Sequence, residues 1–291
     1  MEKQSSYLRT LSSAYPDLPI QSARLHTQDG QYNNILIIND EIIFRFPKYA
    51  EGVQSILKEV RLLSRIQNDT ALPIPNPIYT NKDEQTLGKV FMGYRMLPGE
   101  PLWRDTLQSI NDDETLQRLA AQLAGFLKEL HTIPVEKIGM DLPVNDSVKE
   151  AEKLYAEIRT HLFRFMRPDA CAWAANHFET YLNTPDLHSY PLALQHGDFG
   201  GSNILYDRTS QTISGVIDFG FAALGDPALD IAAASTFGES FFNRFYSIYP
   251  EIEAMVERAS FYRGTYALYE ALHGFKNDDQ EAFEDGMAEY I

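Results

Sequence analysis

Cysteine is almost absent: Cys171 is the single one among 291 residues, so no internal disulfide can form and a reducing cytoplasm is the expected setting. No Cys/His cluster has the spacing of a zinc site. No apolar run reaches the roughly 18 residues a membrane span needs. The first residues, MEKQSSYLRTLSSAYP, lack the apolar core of a signal peptide. Internal repeats, low-complexity tracts and a GxGxxG motif are also missing. Basic residues are scarce: 25 Lys and Arg face 41 Asp and Glu, a net charge of −16. The deficit is uneven, because residues 1–97 hold 11 basic against 10 acidic residues and residues 98–291 hold 14 against 31. Such a balance disfavours nucleic acid as a partner and draws cations toward the second part. With 44% hydrophobic residues the chain is long enough to bury the core of two packed lobes.

What is present centres on HGDFGGSN at 196–203 and VIDFG at 216–220. PLALQ (191–195) suits a buried strand that delivers the first segment. SNILYD (202–207) and TISGVID (212–218), joined by DRTSQ, read as a hairpin. The hairpin brings Asn203 and Asp218 to one edge of a small sheet, with Asp198 in the loop before it. Phosphoryl transfer needs this set: a carboxylate beside the attacking hydroxyl, then an amide and a second carboxylate for the Mg²⁺ ions on the nucleotide phosphates. Protein kinases place an Asp, four residues, an Asn and a later Asp-Phe-Gly in the same order. Here Gly197 stands where they carry arginine.

HGDFGGSNIL, GVIDFG and GDPALD (225–230) together resemble the aminoglycoside phosphotransferase family, a branch of the kinase-like fold. FRFPK (44–48) and the later DPxxD are similar to its 2″-phosphotransferase branch. The resemblance implies an α+β, bilobal protein-kinase-like fold, with a small β-rich N-terminal lobe (1–94), a hinge (95–100) and a larger, mainly helical C-terminal lobe (101–291). It implies Asp198 as the catalytic carboxylate and Asn203 and Asp218 as Mg²⁺ ligands, with ATP or GTP as donor. His196, Asp226 and Asp230 are expected to be structural groups beside the site. Pro227 fits a first helical turn with Asp226 as its cap, and Asp226 is also expected to brace the catalytic loop by accepting backbone N–H bonds. Only eight positions separate Asp218 from Asp226, too few for a long activation segment, which points to small-molecule acceptors rather than proteins.

Upstream, YNNILIIND (32–40) and EIIFRFPK (41–48) read as paired strands after a polar turn at 26–31. Alternation puts Ile42, Phe44 and Phe46 on one face and Ile43 and Arg45 on the other. The family's phosphate-binding cation on this strand corresponds to Arg45, with Lys48 as the alternative; arginine can fork onto phosphate and carboxylate together. Residues 51–67 carry Val53, Ile56, Leu57, Val60, Leu63 and Ile66 at helical spacing, and Glu59 corresponds to the glutamate that pairs with the cation. VFMGYRML (90–97) reads as a strand running into the hinge. Backbone groups near Arg95 and Leu97 would bond the base, and Tyr94 would stand beside it as a gate.

Leu116, Leu119, Ala120, Leu123, Phe126, Leu127 and Leu130 define a helix over 112–131, capped by Asn111, with His131 donating to a buried carbonyl. Further helices are expected at 146–166, 168–183, 231–249, 251–272 and 277–290. In the resembling family, acids of the closing helices meet substrate ammonium groups, which nominates Glu239 and Glu270. The expected protein is a monomeric, cytoplasmic aminoglycoside O-phosphotransferase conferring antibiotic resistance on a cationic small-molecule substrate, without nucleic-acid or membrane partners. A macrolide kinase, a kinase of a small amino alcohol and a nucleotide-binding pseudokinase are the alternatives.

Overall fold

The computed structural model describes residues 2–26, 32–81, 83–139 and 142–291; the polar turn read at 26–31 lies outside them except for His26. The chain begins with α1 (Glu2–Ala14), then β1 (Ala23–His26), β2 (Asn33–Ile38) and β3 (Ile42–Pro47). Next come α2 (Glu51–Ile66), β4 (Tyr79–Thr80) and β5 (Met92–Arg95). These strands form one antiparallel sheet in the order β1-β2-β3-β5-β4. The turn between β2 and β3 uses Asn39 and Asp40 at φ 55 and 56, a left-handed conformation those two residue types tolerate. The Asn39 side chain also accepts the N–H groups of Gln21 and Ser22.

Alternation along β2 and β3 sorts their side chains as expected. Leu36, Ile38, Ile42, Phe44 and Phe46 form a core with Phe91 and with Tyr7 and Leu11 of α1. Arg45 faces the other way, toward α2. The apolar stripe of α2 is buried, and Glu59 is buried with it.

The chain then crosses through β6 (Glu100–Pro101), which pairs with β8 (Ile204–Asp207), itself paired with β9 (Thr212–Val216). Between them lie α3 (Arg104–Ser109), α4 (Asp113–Thr132), α5 (Val135–Ile138), α6 (Ser147–His161), α7 (Pro168–Leu182) and β7 (Ala193–Gln195). The cap of α4 is Asp112, whose carboxylate accepts Thr115 N–H at 2.8 Å, one position past the expected Asn111. After β9, β10 (Ala223–Gly225) pairs with β7. The closing helices are α8 (Ala228–Ala234), α9 (Glu239–Phe242), α10 (Val256–Asn277) and α11 (Gln280–Met287). The single helix expected over 231–249 is broken instead. α8 passes into a 3₁₀ turn, Gly238 at φ 106 reverses the chain, and α9 dissolves into further 3₁₀ turns. Two cores stabilise this half: one runs from α2 through α4 and the hairpin to α8, the other packs α6, α7, α10 and α11. No helix among the described residues is long and apolar enough to cross a membrane.

Candidate active site

The loop carrying Asp198 leaves the buried strand β7 and is held from beneath by one carboxylate. Asp230, fully buried on α8, accepts His196 N–H (2.8 Å) on Oδ2 and Gly197 N–H (2.9 Å) on Oδ1. Its Oδ2 also meets His131 Nε2 at 3.0 Å. Burial alone would raise the Asp230 carboxyl, but His131, His196 and the backbone N–H bonds hold it below the usual carboxylate range. The brace expected of Asp226 therefore belongs to Asp230. Asp226 instead accepts Ala228 N–H at the start of α8, and its other oxygen takes Arg258 and the Tyr262 hydroxyl. His131 is also corrected: its partners are this carboxylate and the Tyr249 hydroxyl, not a carbonyl. His196 bonds the Ile217 carbonyl through Nε2 and accepts Asp198 N–H on Nδ1, which ties the loop to the end of the hairpin.

Asn203 lies one residue before β8 and spends its amide hydrogens on Asp198. Its Nδ2 donates to the Asp198 carbonyl (2.9 Å) and to Asp198 Oδ2 (2.8 Å). That orients the carboxylate, and among the described residues no hydrogen bond engages the Asn203 amide oxygen. Ile217 N–H bonds the Asn203 carbonyl at 2.8 Å, so Asp218 follows directly beside Asn203. Asp218 adopts φ 65 and ψ 72, and 43% of its side chain is exposed.

Arg45 reaches Asp218 from the sheet. Its Nη1 donates to Glu59 Oε1 at 2.6 Å and its Nη2 to Asp218 Oδ1 at 2.8 Å. Glu59 Oε1 also accepts Phe219 N–H at 3.2 Å. Burial pushes the Glu59 carboxyl up against the pull of Arg45. Burial works in the same direction on Asp218, but there the Arg45 guanidinium prevails and holds the carboxyl low. Lys48, past Pro47 at the end of β3, stands half-buried outside this triad; its N–H bonds the Tyr32 carbonyl.

Tyr94 is buried against Arg45 and Glu59, and burial pushes its hydroxyl up to about 12. Beyond it, Met96 N–H bonds Glu41 O at 2.7 Å. In an antiparallel ladder the groups of the adjacent residues Arg95 and Leu97 then face the opposite edge. There, among the described residues, β4 pairs with Met92 and Gly93 and no strand pairs on that side of Arg95 or Leu97.

A cavity of about 340 Å³ opens beside Asp198. Gly197, Asp198 and Gly200 form one wall, α8 contributes Leu229, Asp230 and Ala233, and α10 contributes Tyr266, Tyr269 and Glu270. Glu270 thus shares the cavity with Asp198. Glu239, exposed at the start of α9, is not among its walls. Tyr266 and Tyr269 precede Glu270 by four and one positions; their value as walls was visible only once α10 was placed against α8.

A carboxylate in a glycine-rich loop, an amide beside it, and a second carboxylate held by a sheet arginine define a phosphotransferase of kinase-like build. The chain belongs to the phosphotransferase enzyme family known as APH, whose model matches residues 27–269. It is 28% identical over 273 residues to the viomycin phosphotransferase of Streptomyces vinaceus, covering 91% of this chain and 92% of that one. An aminoglycoside 3'-phosphotransferase of Streptomyces fradiae matches over 150 residues at 27% identity, covering 48% of this chain and 56% of that one. The solved APH(2")-IIIa complex with GDP and kanamycin superposes with a TM-score of 0.88 at 27% identity, covering 97% of this chain and 96% of that one.

Proposed function

We propose that this phosphotransferase moves the γ-phosphoryl group of ATP or GTP to a hydroxyl of a cationic aminoglycoside antibiotic, and so confers resistance. The observation that carries the reading is the oriented Asp198 carboxylate at the wall of a cavity that also holds Glu270. The relatives' names, one of them a kanamycin complex, support the substrate class. The acceptor hydroxyl lies against Asp198, which orients it and takes its proton as the phosphoryl group arrives. Glu270 meets an ammonium group and sets the register; the exposed Glu239 serves at most the outer end of a long acceptor.

Asn203 and Asp218 suit Mg²⁺. Each keeps an oxygen outside its protein hydrogen bonds, and hard oxygen donors in small number are how proteins hold this ion beside phosphates. Bound there, the ion neutralises charge on the transferring group. Arg45, held by Glu59, serves the phosphates. Arg95 and Leu97, on the open strand edge in the hinge at 95–100, bond the base, with Tyr94 behind it. The lobes are then residues 1–94 and 101–291. The chain works as a cytoplasmic monomer, where the donor nucleotide is available.

The test is a transfer assay with Mg²⁺, each nucleotide, and kanamycin, gentamicin, viomycin and a macrolide as acceptors. Phosphorylated kanamycin or gentamicin is expected. Transfer to the macrolide alone would overturn the acceptor class.

A further inference from the structure

Three large aromatic side chains stand exposed around Asp198 and belong to none of the cores. Tyr32 is 48% exposed, Phe221 51% and Tyr269 62%. They come from three segments: Tyr32 precedes β2 in the sheet lobe, Phe221 follows Asp218, and Tyr269 lies on α10 at the wall of the Asp198 cavity. Leaving such rings partly in water forgoes stabilisation that burial would give. Clustered exposed aromatics mark contact surfaces.

Their placement is fixed by backbone. Tyr32 is pinned through its carbonyl, which accepts Lys48 N–H at 2.8 Å where the β2–β3 ladder ends. The main chain of Phe221 lies directly on Gly197: a side chain there would collide with the Phe221 carbonyl oxygen, and Gly197 sits at φ 81. The glycine that replaces the protein-kinase arginine thus makes room for this segment. From there the Phe221 ring meets Tyr32 edge-on, with centroids 5.6 Å apart. Gly197, against which Phe221 packs, lines the same cavity as Asp198, Tyr269 and Glu270. The Tyr32–Phe221 pair thus borders the loop that carries Asp198 on one side, and Tyr269 and Glu270 line the Asp198 cavity on the other.

We infer that Tyr32, Phe221 and Tyr269 form an aromatic cage for an alkylammonium group of the acceptor, spanning the two lobes. Ring faces attract a cation, and the attraction grows when water is excluded. The carboxylates of Asp198 and Glu270 add the complementary charge. Tyr32 is then a specificity-determining residue supplied by the sheet lobe, and the acceptor ties that lobe to the helical one. The cage deepens the reading of the chain as a kinase of a cationic acceptor and rests on it.

Tetramethylammonium is the probe, titrated into the full chain and followed by saturation transfer to its methyl protons. Wild type and Tyr32→Phe are expected to bind it. Tyr32→Leu and Tyr269→Leu are expected to bind at least about tenfold more weakly, a loss within the cation–π range. Both positions are exposed, so each variant should keep the wild-type melting temperature and nucleotide affinity. No binding by wild type, or equal binding by Tyr32→Leu, overturns the cage. The kanamycin transfer assay is independent of this result. Transfer without tetramethylammonium binding removes the cage and keeps the acceptor class; binding without transfer keeps the cage and removes that class.

Discussion

Replacing Asp230 by asparagine removes a charge and converts one acceptor to a donor at a fully buried point. The carboxylate receives His196 N–H, Gly197 N–H and His131 Nε2 at 2.8, 2.9 and 3.0 Å. Whichever way the new amide is flipped, its NH₂ faces at least one N–H group. Breaking a buried, hydrogen-bonded charge in this way costs about 3–5 kcal/mol. At roughly 2–4 °C per kcal/mol for a large domain, the melting temperature should fall by about 6–20 °C. Because both braced N–H groups belong to the loop that delivers Asp198, turnover should fall as well, by about 100-fold if the carboxylate moves by an ångström. Differential scanning calorimetry and steady-state kinetics on the same preparation read both effects. The pH dependence adds a signed check. The folded Asp230 carboxyl lies below its ordinary 3.8, so its stabilisation is complete above that pH and drains as pH falls through the depressed folded value. Asp230→Asn should lack that part of the acid limb. A variant that melts within about 1 °C of wild type and turns over normally would refute the brace; about 1 °C corresponds to under half a kcal/mol.

Gly197→Ala should abolish most activity, because the residue is at φ 81 and its new methyl would meet the Phe221 carbonyl oxygen. Kinetics with a thermal melt check this, and near-wild-type turnover would contradict it. Glu59→Ala should raise the nucleotide KM by about tenfold or more by freeing Arg45 from a buried pair, since truncating one partner of such a pair costs several kcal/mol in stability or binding; an unchanged nucleotide KM would remove Glu59 from the phosphate grip. Glu270→Gln should raise the acceptor KM and leave the nucleotide KM unchanged, whereas Glu239→Gln, outside the cavity walls, should change the acceptor KM by less than about fivefold, the range of an exposed charge pair.

Much of the fold was legible because its signals are local. The alternation of IIFRFP sorted Phe44 and Phe46 from Arg45, and the helical spacing of Val53 to Ile66 placed α2, whereas Glu59 was nominated by the family resemblance and its burial was not legible. The hairpin after Asn203 was legible from β-branched residues and a polar turn. What was illegible depends on partners distant in sequence. His131 is 99 positions from Asp230, and nothing around either residue names the other. Sequence reasoning assigns the brace to Asp226; the bonds that His196 and Gly197 N–H donate to Asp230, more than thirty positions away, show the true partner. The break at Gly238 was misread because the aromatic run 237–246 keeps helical spacing on both sides of it. The helix α1 escaped notice because its anchors are just Tyr7 and Leu11, two apolar groups whose value appears once the sheet face is present. Tyr32 escaped for a different reason: an exposed tyrosine at a strand end carries no local signal of function.

The most direct test of the account is product analysis of wild type and Asp198→Ala with nucleotide, Mg²⁺ and kanamycin. Mass spectrometry should show one phosphoryl group on the acceptor from wild type and none from the variant, while the variant binds nucleotide with wild-type affinity. Wild-type product formation by Asp198→Ala, or the phosphoryl group found on the protein chain instead, would contradict direct transfer at this carboxylate.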